Sequence, residues 1–195
     1  MNASLTHVGP VLATDGPSLR ALFDRNGVLC HCRYWHFTGD KNAWLERCST
    51  RPEENAHELT QALRANGALE GVVARVGDAV VAWMKLTPAA RVHKLYEQRL
   101  YKNLPCFTGA RERVFTIGCF FVDPAFRQQG LVRRLVATGV ELARSAGGVA
   151  IEAFPRRAEL LADEELWTGP FSAFRKEGFE IVHDFGPYPV LRRNL

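Results

Sequence analysis

The strongest constraint on this chain lies between Arg113 and Gly148. The run Arg113-Val114-Phe115-Thr116-Ile117-Gly118-Cys119-Phe120-Phe121-Val122 is rich in β-forming residues and stops at Asp123-Pro124, because proline has no N–H to give to a strand ladder. Gly130 then opens a segment in which Val132, Leu135, Val136, Val140 and Ala143 recur at helical spacing until Gly147-Gly148 ends it. A strand that passes into a helix through a glycine turn commits the chain to layered αβ packing, since each element has one apolar face and needs the other to cover it.

The flanking segments extend that pattern. Val72-Val73-Ala74-Arg75-Val76 and Ala79-Val80-Val81-Ala82-Trp83-Met84-Lys85-Leu86, joined by Gly77-Asp78, predict a hairpin. After the long helix, Val149 to Phe154 reads as a strand closed by Pro155, Pro170 to Glu177 as a helix ending at Gly178, and Phe179 to His183 and Tyr188 to Arg192 as final strands. Upstream, a short strand reaches about Leu12, and Asp15 caps a helix over Gly16 to Phe23. Cys30 to Gly67 reads as mostly helical, with a helix expected around Ala89 to Leu100. No repeat, low-complexity tract or linker divides residues 1–195, so the expectation is a single domain in which a hairpin precedes a strand, helix, strand, helix, strand series.

Composition narrows the class. At 47% apolar and 24% charged, the chain can bury a core, which argues against disorder. Charges or glycines break each apolar run before the ~20 residues of a membrane helix. Met1-Asn2-Ala3-Ser4-Leu5-Thr6-His7 lacks the basic start and apolar core of an export signal. Five cysteines, an odd count, argue against a disulfide framework and for a reducing, cytoplasmic setting. The formal charge of +4 fits a soluble surface, a nucleic-acid face or a pocket for an anionic ligand.

The turn before the long helix bears on that choice. Backbone N–H groups at a helix start are unpaired and sit at the positive end of the helix dipole, so they suit a pyrophosphate. Arg127, with Arg133 and Arg134 one turn on, can add direct contacts. Arg-x-x-Gly as a bare string is uninformative, since it recurs at Arg64-Gly67, Arg144-Gly147 and Arg175-Gly178. Those three glycines sit at helix ends, whereas Gly130 follows a strand and opens a helix.

In this setting Val122-Asp123-Pro124-Ala125-Phe126-Arg127-Gln128-Gln129-Gly130-Leu131-Val132 resembles the acyl-CoA-binding motif (Arg/Gln)-x-x-Gly-x-(Gly/Ala) of the GCN5-related N-acetyltransferases. Ile151-Glu152-Ala153 is similar to that family's Leu-Glu-Val strand, and Phe174-Arg175-Lys176-Glu177-Gly178-Phe179 to its Tyr-x-x-x-Gly-Phe helix end. Extra length lies at Arg156 to Leu166, and the resemblance covers about Val72 to Ile181. Cys30-His31-Cys32-Arg33-Tyr34-Trp35 and Glu152-Ala153-Phe154-Pro155 resemble a bacterial subgroup of unknown acceptor.

The resemblance implies a mixed, mostly antiparallel α/β fold with a sheet of six to seven strands, flanked by helices and splayed between the fourth and fifth strands. It implies acetyl-CoA as co-substrate and direct transfer of the acetyl group to a primary amine of a small molecule or peptide. A non-catalytic acyl-CoA-binding or sensor protein of the same fold is the alternative. The pantetheine arm is expected along Phe120, Phe121 and Val122, and the pyrophosphate at Arg127, Gln128, Gln129, Gly130, Leu131, Val132 and Arg133. Val132 departs from the usual small residue. The resemblance implies an amine acceptor as partner, with a homodimer as one open oligomeric state; the dispersed arginines and short apolar runs argue against nucleic acid and membrane.

Direct transfer needs a route for the proton of an amine with pKa ~10, and an acid helps a thiolate with pKa ~8.5 to leave. Glu152, a lone carboxylate in an apolar strand, is the candidate base; the alternative is a strand glutamate paired to an arginine or facing water. The usual acid, a tyrosine, is replaced by Phe174, so either Ser172 or a nearby tyrosine takes that role or the thiolate leaves unaided, with a helix-start polar residue as the alternative for Ser172. Trp167 stands where many members have asparagine. Cys30, His31, Cys32, His36 and Cys48 have poor zinc spacing and read as buried structural residues in a helical segment. Cys119 reads as a small core residue before an acyl-cysteine nucleophile. Tyr34, Trp35, Trp44, Trp83, Tyr96 and Tyr101 precede the motif and suit either core or an aromatic acceptor pocket. The pairs Arg133-Arg134, Arg156-Arg157 and Arg192-Arg193 are dispersed, which fits solvated faces better than a nucleic-acid stripe.

Overall fold

A computed structural model describes residues 7–195; the expectation drawn from Met1–Thr6 lies outside the described residues. Seven strands form one sheet: β1 His7–Pro10, β2 Gly71–Val76, β3 Ala79–Pro88, β4 Val114–Val122, β5 Ala150–Ala153, β6 Glu180–His183 and β7 Val190–Asn194, in the order β1-β2-β3-β4-β5-β7-β6. β4 and β5 run parallel, and the other neighbours run antiparallel. The helices are α1 Gly16–Arg25, α2 Lys41–Thr50, α3 Pro52–Asn66, α4 His93–Tyr96, α5 Leu131–Ser145 and α6 Phe171–Lys176. The expected mixed, mostly antiparallel sheet flanked by helices is therefore present. The Gly77-Asp78 hairpin is present too, with Gly77 at φ +56°.

Each face of the sheet carries its own core. On one, α5 buries Leu131, Leu135, Val136, Val140 and Ala143 against Met84, Leu86, Phe115, Ile117 and Phe120. Val132, expected on that face, is half-buried at its margin. Gly139 lets α5 come close to β3, since a Cβ there would stand 2.5 Å from Met84 Cε. On the other face, Leu19, Leu22, Phe23, Leu59 and Leu63 of α1 and α3 cover Val73, Trp83 and Cys119. A third cluster packs Val92, Leu95, Tyr101 and Leu104 with Trp35 and Phe154.

One irregularity in β4 positions the site. Lys85 pairs with Cys119 and Leu86 with Ile117, so Gly118 is bulged out of the ladder. Phe115 and Ile117 face α5 before the bulge, and Phe120 does so after it, while Cys119 turns to the opposite face. Among the described residues the β4–β5 pairing starts at Val114–Ala150 and stops at Ile117–Ala153, one residue short of the bulge. From Gly118 to Val122 the two strands are splayed, as the resemblance implies.

Three expectations need correction. Asp15 is not a side-chain cap on α1; its carboxylate accepts from Leu12 N and pairs with Arg75, held there by the helical backbone of Asp15 itself. Cys30 to Asp40 is not helical, because His31 and Cys32 lie at φ +42° and +55°, incompatible with a right-handed helix, and only a 3-10 turn at Tyr34–His36 follows. The segment Ala89 to Leu100 breaks at Val92, whose φ −126° and ψ 47° separate a 3-10 turn from the four-residue α4.

Candidate active site

The splay opens onto a cleft of about 700 Å³ between β4, the start of α5 and α6. Phe120, Phe121, Val122, Arg127, Gln128, Gly130, Leu131, Val132 and Arg133 all line it. Gln129 does not; its amide donates to the Ala125 carbonyl at 3.3 Å. Asn26 and Val28 beyond α1, and Asp163, Leu166, Trp167, Pro170, Ala173 and Lys176, complete the wall with Ser172. Apart from Trp167, which the sequence marks as standing at a usual asparagine position, these others carry no local sequence signal, because their approach to β4 depends on chain segments far apart in sequence.

Gly130 sits at φ +72° as the residue before α5, without a side-chain hydrogen bond capping the helix among the described residues. A Cβ there would meet nothing within 4 Å. The first N–H groups of this 15-residue helix thus face the cleft with room for an anion and with the positive end of the dipole behind them. Both flanking arginines make ion pairs, Arg127 with Asp163 and Arg133 with Glu177 at 2.6 Å. Both pairs are partly exposed, the sort worth about 0–1 kcal/mol, so either guanidinium can exchange its partner. The residues present therefore fit the pyrophosphate of a CoA ligand.

Glu152 is fully buried on β5 and does not line the cleft. Arg111 reaches both its oxygens, at 2.9 and 2.6 Å, Arg192 binds Oε1 at 2.5 Å, and Tyr96 donates its hydroxyl to Oε2 at 2.7 Å. The arginine-paired arrangement left open by the sequence is thus the one observed. Burial, followed by the neighbouring Glu152 carboxylate, pushes the Tyr96 phenol well above its ordinary value. Arg192, expected on a solvated face, is instead drawn inward by this carboxylate across the β5–β7 pair, where Glu152 stands opposite it.

A second buried polar group lies beside the bulge. Lys85 Nζ, fully buried, donates to Glu70 Oε2 at 2.9 Å. Burial lowers the Lys85 pKa. It also works to raise that of Glu70, but Lys85 and Arg33 outweigh it and hold the carboxyl below its usual range. The lysine in the apolar run Ala79–Leu86 was the sequence signal for this pair. His36 is driven down to about 2 by burial and by Lys85, Arg33 and Arg91, and its Nε2 is buried without a hydrogen-bond partner among the described residues.

Ser172 is exposed at the cleft wall near the start of α6. Phe174 is fully buried between Phe120 and Phe179, with ring centroids at 5.9 and 5.3 Å. Cys119 turns from the cleft into the α1–α3 core, its Sγ 2.7 Å from that of Cys32, and all five cysteines are free. Cys30 and Cys32 lie in the irregular turn rather than a helix, while Cys48 is in α2. Of the upstream aromatics, Trp35 reaches β4, donating Nε1–H to the Gly118 carbonyl at 3.2 Å and stacking on Trp167. Among the described residues no three His, Cys, Asp or Glu side chains converge as metal ligands, and no helix is long and apolar enough to cross a membrane.

A family model described as Acetyltransferase (GNAT) family matches residues 33–160. No curated protein matches. Among solved structures, the PaiA N-acetyltransferase of Thermoplasma acidophilum in complex with coenzyme A superposes with a TM-score of 0.57 at 9% identity, covering 98% of this chain and 99% of that one. The Salmonella typhimurium protein yncA, with its cofactor acetyl-CoA, gives 0.56 at 11% identity over 97% and 94%. A GCN5-related N-acetyltransferase from Kribbella flavida gives 0.55 at 17% identity over 97% and 98%. These are likenesses of fold.

Proposed function

The chain belongs to the GNAT acetyltransferase family, and from that premise we propose that residues 1–195 form one acetyl-CoA-dependent N-acetyltransferase domain acting on a primary amine of a small molecule or peptide. The observation that carries the reading is the continuity of the cleft, which runs from the bare N-terminus of α5 to the splayed edge of β4. A pyrophosphate at Gly130, Arg127 and Arg133 and an extended arm along Phe120 to Val122 would place a thioester beside the bulge at Gly118. The bound co-substrate supplies an acyl carbon open to attack by an amine.

The chain's own residues bind and orient. The β4 edge groups, Phe120 N–H among them once it parts from the Trp167 carbonyl, would hold the arm, and the α5 terminus with its arginines would hold the phosphates. Phe120, backed by the buried Phe174 ring, would shield the arm from water. We assign Ser172, exposed on the cleft wall, the role of donating a proton toward a departing thiolate. Glu152, proposed from the sequence as the base, already accepts from two arginines and Tyr96, and could take a proton only by giving up one of them. We assign it the role of orienting Arg111 and Tyr96, with the amine proton leaving through water.

Calorimetry with acetyl-CoA and CoA, followed by a thiol-release screen over polyamines, aminoglycosides, amino acids and peptides, tests this. Absence of binding at millimolar ligand overturns it. The buried Phe174, which cannot donate a proton, favours a second reading as a non-catalytic acyl-CoA-binding protein. Binding without thiol release across the panel selects that one.

A further inference from the structure

We propose that Asp163–Gly169 is an intramolecular strap that walls the cofactor cleft, engages the β4 edge group and the arginine that the cofactor would use, and is exchanged for the cofactor on binding. The inference rests on the reading of this cleft as the CoA site, and it concerns a segment that begins within the extra length at Arg156 to Leu166.

Two contacts of the strap reproduce the chemistry of the ligand it would give way to. The first is a carbonyl on the sheet edge: Phe120 N–H, just beyond the bulge, donates to the Trp167 carbonyl at 2.7 Å. A backbone donor on the splayed edge of β4 is what an amide or acyl carbonyl of the extended arm would use. The second is an anion at the phosphate end, where the Asp163 carboxylate pairs with Arg127 beside the start of α5. Asp163, Leu166 and Trp167 all line the cleft.

The strap is roofed and hinged. The Trp167 ring stacks on Trp35 at 5.7 Å between centroids and 27° between planes, and Trp35 itself holds the Gly118 carbonyl. Together the two tryptophans cover the edge groups of β4 on both sides of Cys119. At the far end Gly169 lies at φ +91°, and a Cβ there would come within 2.6 Å of the Phe120 ring, so only glycine permits the turn that lays the strap on β4. The Asp163–Arg127 and Glu165–Arg156 ion pairs, both partly exposed, and one backbone hydrogen bond are each weak against competing partners in water, so the strap can be displaced without opening the core.

Calorimetry on the full chain tests this with CoA as the probe. Asp163→Asn removes the competitor for Arg127, and Trp167→Ala removes the stacking on Trp35. Each is expected to tighten CoA binding about three- to tenfold, with unchanged thermal unfolding as the check on folding. Hydrogen exchange of the wild-type chain should show Asp163–Gly169 losing protection when CoA binds while Gly118–Val122 stays protected. Unchanged or weaker CoA affinity in both variants, or a strap that keeps its protection in the complex, overturns the proposal. Gly130→Asp separates the two ideas: weakened CoA binding there, with both strap variants inert, removes the strap and leaves the site, whereas no CoA binding by any form removes the site and the strap together.

Discussion

Arg111 sets its two terminal guanidinium nitrogens on the two carboxylate oxygens of Glu152, a residue with no solvent exposure in the middle of β5. Arg192 closes the same carboxylate from β7. The arrangement ties the segment before β4, the centre of the sheet and the last strand to one charge.

Replacing Glu152 with Gln leaves both guanidinium groups without their counter-charge. Breaking a buried pair of this kind costs about 3–5 kcal/mol, and the partial exposure of the two arginines places the expectation at about 3. Urea unfolding checks it. The turnover arm separates the two roles of Glu152: a positioning residue predicts lowered turnover with an unchanged pH profile, whereas a base predicts a loss concentrated near neutral pH. CoA affinity is expected to stay unchanged in both cases.

Gly130→Asp is expected to weaken CoA binding at least tenfold by calorimetry, because the new carboxylate would stand beside the pyrophosphate. Gly130→Ala meets no clash but carries the left-handed backbone cost of about 1–2 kcal/mol, so it should lower stability with a smaller effect on affinity. Equal CoA affinity in the Asp variant and the wild type would move the phosphate site elsewhere.

Acidification should destabilise the fold through His36. Its folded pKa of about 2 lies below the ordinary value of 6.5, so between those values the unfolded chain holds a proton that the folded one excludes. Stability therefore falls as pH drops below 6.5, approaching about 1.4 kcal/mol per pH unit. The groups that disfavour a charged imidazole here are Lys85, Arg33 and Arg91. His31, also held down by burial, acts in the same direction. Urea midpoints at pH 7 and pH 5 should lie closer together in His36→Phe than in the wild type. An unaltered gap would show that His36 does not titrate as argued.

Cys119→Ala probes the acyl-cysteine alternative. The thiol is buried against Cys32 and the α1–α3 core, away from the cleft. The variant should keep turnover within about twofold and lose about 1 kcal/mol of stability through the small cavity left. An acyl-enzyme adduct seen by mass spectrometry in the wild type and missing in the variant would reverse this assignment.

The elements legible in the sequence were those with a local cause. The β2–β3 hairpin follows from alternation around Gly77-Asp78, and α5 from its apolar spacing and its glycine boundaries. The phosphate turn was legible because Gly130 stands between a strand and a helix. Misread segments were those in which local propensity was overruled: left-handed His31 and Cys32 end helical continuity, and Val92 breaks what spacing alone would continue. Glu152 was singled out correctly as unusual, but its partners Arg111 and Arg192 lie 41 and 40 residues away.

By itself the sequence determined the β2–β3 hairpin, the β4 strand, α5 and a helix start that could hold an anion, because the periods of 2 and 3.6 and the backbone freedom of glycine act over a few residues. Only the tertiary structure decided the bulge at Gly118, the pairing of Glu152 with Arg111 and Arg192, and the contact of the Trp167 carbonyl with β4. Each of these depends on which distant segments meet, and that is settled by strand register and by the need to pair every buried polar group.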